Sequence, residues 1–88
     1  MLILQRTRNV ISSIGSLDIK YYIDEPDAAS DPSYGIAVET NGNLRVLHSV
    51  LPDRMEVISI IETLYRNLVT TVTFKDVVED YISERNLL

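Results

Sequence analysis

Apolar residues recur at every second position through the first half of this chain and at every third or fourth through the second, with the change near Pro52. The stretch LDIKYYID (17–24) alternates without a break. Leu17, Ile19, Tyr21 and Ile23 fall on one face, and Asp18, Lys20, Tyr22 and Asp24 on the other. That is the pattern of a half-buried strand. Before it, LILQRTRNVIS is extended but less regular, and SSIGS (12–16) supplies a turn in which Gly15 can take a positive φ. The two segments predict a hairpin that brings Arg6 and Arg8 near Asp24 and Glu25. DEPDAASDPS (24–33), with two prolines, reads as a loop. YGIAVET and LRVLHSVL then flank Asn41-Gly42, a strong short hairpin signal because both central residues must accept φ > 0. A two-residue turn sets Ile36 opposite Leu47, Val38 opposite Arg45, and Gly35 facing His48.

In DRMEVISIIETLYRNLV (53–69), Val57, Ile58, Ile61, Leu64, Tyr65 and Leu68 form one helical stripe. Pro52 precedes it, Asp53 can cap it with Glu56 in capping-box position, and Glu62 and Arg66 are spaced as an i,i+4 pair. The β-branched VTTVT (69–73) disfavours continuation. Thr73 then caps a second helix, with Asp76 at the third position and a buried stripe of Phe74, Val77, Val78, Tyr81 and Ile82. The element order is ββββαα. It predicts one α+β domain over residues 1–88: a four-stranded antiparallel meander with both C-terminal helices on one face.

Composition narrows the function classes. A chain of 88 residues and 10.0 kDa should bury about two thirds of its open-chain surface, leaving about 5,200 Å² exposed. There is no cysteine, so neither a disulfide framework nor a thiolate zinc site, and a reducing cytoplasm fits. The net charge of −5 is spread over both halves, which disfavours nucleic acid. The apolar start MLIL is too short for a signal peptide, and no apolar run approaches a membrane span.

Four candidate chemistries can be weighed. Asp76, Asp80 and Glu84 run up one flank of the second helix beside Glu79, and could hold a cation. One helix face offers a hard cation too few oxygens, and the acids lie opposite the apolar stripe, so a solvated face is the expectation. The loop acids Asp24, Glu25, Asp27 and Asp31 lack the alternation and central glycine of a calcium loop. His48, with Ser13 or Ser49 and several acids, could serve a small enzyme, but no nucleophile motif surrounds it. KYY (20–22) with Arg6 and Arg8 has the residue types of a single-strand binder, yet Tyr21 shares its face with Ile19 and Ile23. No catalytic, cofactor-binding or metal-binding residue is assigned, and no cofactor is expected.

The second hairpin carries a sharper signal, because it is apolar on both sides. Tyr34, Ile36, Val38, Leu47 and Leu51 make one side; Ala37, Leu44, Val46 and Val50, with His48, make the other. A sheet with one wet face should alternate apolar and polar. Two helices suffice for one face. Either a second copy or another protein covers the patch of Leu44, Val46 and Val50, or the N-terminal segment or proline loop folds over it.

YYIDE in one strand, YGIAV in the next, DR opening a helix and the closing DVVEDYI together resemble a family of small bacterial proteins defined only as a domain of unknown function. The resemblance spans most of residues 17–83. It implies a small cytoplasmic bacterial protein and carries over no activity and no site residues. The reading of the chain is a non-enzymatic module acting through a protein partner or as a homodimer, without nucleic acid or membrane. The alternatives are a small enzyme with a site near His48 and, disfavoured by the charge, a nucleic-acid binder.

Overall fold

Alternation in the first half becomes four strands, and the 3.6-residue period of the second half becomes two helices. The computed structural model of the chain describes residues 1–26 and 32–86. The strands are β1 (Leu2–Ser12), β2 (Gly15–Asp24), β3 (Tyr34–Thr40) and β4 (Asn43–Leu51), followed by α1 (Arg54–Arg66) and α2 (Phe74–Asn86). They form one antiparallel sheet in the order β1-β2-β3-β4, so the α+β meander read from the sequence is the observed fold.

Turn chemistry sets the second hairpin. Asn41 and Gly42 adopt φ of 49° and 83°, and the pairs Ile36–Leu47 and Val38–Arg45 form as the two-residue turn requires. Two irregularities break the alternation. In β1 the register shifts between Leu4 and Arg6, so Leu4 pairs with Tyr22 and Arg6 with Tyr21. In β4 it shifts so that Tyr34 pairs with Leu51 and Ile36 with Leu47, leaving residues 48–50 opposite Gly35. Ser49 takes φ 54° within this bulge. Gly35 is needed there: a Cβ would stand 2.3 Å from the Leu47 carbonyl oxygen.

The register of the first hairpin corrects the expected charge pairing, setting Arg6 opposite Tyr21 and Arg8 opposite Ile19. Arg6 and Arg8 do not lie beside Asp24 and Glu25; Leu2 takes the place opposite Asp24. Arg6 instead donates from Nε to Glu62 on α1 at 2.8 Å, and both guanidinium groups stack over the Tyr65 ring at 5.1 and 5.0 Å. The Glu62 carboxylate beside it raises the Arg6 pKa further above its ordinary value. The i,i+4 pair of Glu62 with Arg66 is thereby replaced, and Arg66 reaches Thr63 at 3.4 Å.

The core lies between the sheet and the helices. Ile19, Tyr21, Ile23, Ile36 and Val38 meet Val57, Ile60, Ile61 and Leu64 of α1 and Phe74 and Val78 of α2. Ile60 was not in the stripe read from the sequence. It is buried because α1 packs on all four strands and also against α2, which widens its apolar arc. Val77, Tyr81 and Ile82 pack at the margin of the core, as the period of α2 requires.

Leu68 leaves the stripe, because α1 ends two residues earlier. Asp53 caps its start, accepting from the Met55 amide at 2.9 Å. At its end, the Leu68 amide donates to the Tyr65 carbonyl at 3.3 Å and the Val69 amide to the Leu64 carbonyl at 3.0 Å. This is a Schellman closure in which Leu68, at φ 54°, occupies the left-handed position usually held by glycine. The closure turns Val69 into the core, where its carbonyl accepts the Tyr21 hydroxyl at 2.8 Å. Two residues on, the Thr71 amide donates to Thr40 Oγ1 at 3.2 Å. The connector between the helices is thus tied to the two central strands.

Burial pushes the Tyr21 pKa up to about 12. The fold favours the neutral phenol, so this contribution to stability is complete below the unfolded value near 10 and is lost as pH rises from about 10 to 12. Tyr21→Phe should lower stability at pH 7 by about 1 kcal/mol and flatten that alkaline decline, read by denaturant unfolding at pH 7 to 12. Leu68→Gly should raise stability by up to about 1 kcal/mol, since glycine holds a positive φ without a Cβ penalty.

Candidate functional site

The two helices cover one face of the sheet and leave the other without a layer among the described residues. The molecule measures 46 × 30 × 18 Å, thin along one axis as two layers require, and exposes 5601 Å², above the value expected for its mass. Register places a row of four apolar side chains across the middle of the open face: Leu4, Tyr22, Ala37 and Val46, one from each strand. Leu4 is 50% exposed, Tyr22 and Val46 are half-buried, and Ala37 is fully buried.

The next row toward the Asn41-Gly42 turn reads Thr7, Lys20, Glu39 and Leu44. Lys20 Nζ lies 3.8 Å from Glu39 Oε1, and Leu44 is 42% exposed. On the other side of the apolar row stand Leu2, Asp24 and Gly35. Asp24 accepts from His48 Nδ1 at 2.7 Å and from the Met1 amino group at 3.2 Å. The surface is therefore apolar along its midline, with paired charges on both sides.

The patch read from the sequence divides. Leu44 and Val46 lie on the open face, whereas the β4 bulge turns Val50 to pack against the core. Leu4 and Tyr22 take its place. Tyr22 was legible as a residue of the outer face; Leu4 was not, because its pairing depends on the extra residue at Gln5. β1 itself pairs at the sheet edge instead of lying over this face. The middle of the proline loop (24–33) that could fold over it, residues 27–31, lies outside the described residues, and with it the candidate acids Asp27 and Asp31.

The remaining candidates separate in space. Asp76, Glu79, Asp80 and Glu84 are exposed on α2, with Lys75 Nζ 3.9 Å from Glu79. Among the described residues no three His, Cys, Asp or Glu side chains stand close enough to hold a metal ion. The His48–Asp24 contact supplies two members of a proton-relay group, with the proton on Nδ1, but the imidazole is 75% exposed and no wall excludes water from it. Glu25 is engaged elsewhere, 3.7 Å from Arg54. A cleft of about 490 Å³ lies between β4 and the start of α2, lined by Arg45, Leu47, Thr71, Val72 and Lys75 among others, and another of about 310 Å³ lies at the β1–β2 tip. Neither includes His48. No helix among the described residues is long and apolar enough to cross a membrane.

A bare, centrally apolar sheet face on a two-layer ββββαα scaffold defines a small α+β protein whose most distinctive surface is that face. The chain belongs to the family of unknown function DUF6514, whose model matches residues 1–84. No curated protein and no solved structure matches it.

The acids of α2 generate a direct test. Asp80→Asn/Glu84→Gln removes two like-charge i,i+4 contacts and should leave stability unchanged or raised by a few tenths, roughly 0.2–0.5 kcal/mol. Calcium should shift the Tm of neither protein; a calcium-dependent rise lost in the variant is the outcome that restores a cation site.

Proposed function

We propose that the chain is a non-enzymatic bacterial protein that works in the cytoplasm as a protein-interaction module, through the face of the sheet opposite its helices. The observation that carries this reading is the apolar row Leu4, Tyr22, Ala37 and Val46, flanked by exposed Leu44, on a face that no described element covers. A contiguous apolar strip rimmed by ion pairs is the anatomy of an interface, and its removal from water is the driving force. The acidic net charge and cysteine-free composition suit a soluble partner in a reducing compartment.

The contact of His48 with Asp24 favours a second reading, a small enzyme with its site there. It is the weaker one, because the pair lies in the open and the two clefts are built from other residues.

A photo-crosslinking side chain placed at Leu44 tests the first reading in cells. It should give one adduct of defined mass, while the same group at Asp80, on the opposite side of the molecule, gives none. An adduct with this chain or with another protein supports an interaction face. Equal, diffuse labelling at both positions, or none at either, overturns it.

A further inference from the structure

The register of the open face makes it complementary to itself. We infer that its occupant is a second copy of this chain, packed sheet against sheet about a two-fold axis that runs parallel to the strands between β2 and β3. The inference rests on the interaction-face reading and adds the partner and its orientation.

A two-fold axis along the strands keeps each row at its own height and exchanges β2 with β3 and β1 with β4. The row Thr7, Lys20, Glu39, Leu44 then meets itself reversed: Lys20 faces Glu39 of the second copy, and Glu39 faces its Lys20. Each carboxylate gains a second ammonium at no additional like-charge contact. In the apolar row Tyr22 lies over the position of Ala37, and the exposed Leu4 meets the half-buried Val46.

The other axis lying in the face, perpendicular to the strands, is worse. It stacks Tyr22 on Tyr22 and turns Lys20 toward Asp24, whose oxygens are already engaged by His48 and the Met1 amino group.

Size fits a reversible contact. Three interstrand spacings of ~4.8 Å with side-chain margins, by about seven residues of ~3.3 Å, outline roughly 500 Å² per copy. Two faces bury about 1,000 Å², at the lower end for a specific interface, so the dimer should form and dissociate with concentration. The N-terminal hairpin tip lies outside this footprint.

Charge reversal tests both the partner and the axis. In sedimentation equilibrium the wild-type chain should associate from monomer to dimer in the micromolar range. Lys20→Glu faces two carboxylates with two more, and Glu39→Lys does the same with ammonium groups, so each variant alone should self-associate about tenfold more weakly. Mixed in equal amounts, Glu at position 20 of one copy faces Lys at position 39 of the other, and dimer should return near the wild-type level. Matched thermal unfolding of the three proteins is the control, because the Lys20–Glu39 pair is half-exposed and contributes little to folding. A wild-type chain that stays monomeric at the highest soluble concentration overturns the inference while a Leu44 adduct with another protein still upholds the interaction face. Dimerisation that mixing fails to restore overturns the axis, since with the perpendicular arrangement Glu at position 20 still confronts Asp24.

Discussion

One buried hydrogen bond constrains the rest of this structure. The Tyr21 hydroxyl sits beneath the helices and must find a partner there, because an unpaired buried hydroxyl costs about 1–3 kcal/mol. Its partner is the Val69 carbonyl, which reaches the core only because α1 stops at Arg66 and closes through Leu68 in a left-handed conformation. The bond therefore fixes the length of α1 and the point from which α2 departs. Thr71 on Thr40 holds the same connector to the neighbouring strand. Tyr65 edges against Tyr21 with ring centres 6.1 Å apart, and its own ring carries Arg6 and Arg8. A single central tyrosine thus couples the two middle strands, both helices and the edge strand β1.

Anchoring both helices to the Tyr21 side leaves the other side uncovered by any described element. Two helices stand among the described residues, and α1 alone spans all four strands. Nothing of comparable size remains among the described residues to form a third layer. A sheet in that position should be polar outside, as it is around Asp18, Lys20 and Glu39, but its midline is not. That mismatch, set against a fold otherwise consistent from local propensity to packing, is where function is most sensibly sought.

The two bulges show how a local irregularity redistributes chemistry. One extra residue at Gln5 sends Leu4 to the open face, while the unbroken register from the Ser12–Gly15 turn keeps Arg6 and Arg8 on the helix face, beside Glu62 and Tyr65. Three residues opposite Gly35 send Val50 inward and leave His48 outside beside Asp24. Because side chains alternate with a period of two, the one-residue shift in β1 reassigns the faces of Leu2 to Leu4, whereas the two extra residues in β4 act within the bulge and leave Leu51 on the core face.

Element order, strand pairing, the Asn41-Gly42 turn, the apolar stripe of α2 and the solvent exposure of Asp76, Asp80 and Glu84 were all determined by the sequence alone. Each depends on residues a few positions apart, whose steric and hydrophobic preferences act locally. The two-sided apolarity of the second hairpin was legible too, since it follows from composition at alternate positions. Tertiary structure decided what those local rules cannot see: the bulges, the left-handed Leu68, the burial of Ile60, the exchange of Arg66 for Arg6 as the partner of Glu62, and the entry of Leu4 in place of Val50 on the open face. These choices balance groups distant in sequence, among them residues 6 and 62 or 21 and 69, and only when the chain has packed do such groups compete for the same space and the same hydrogen bond.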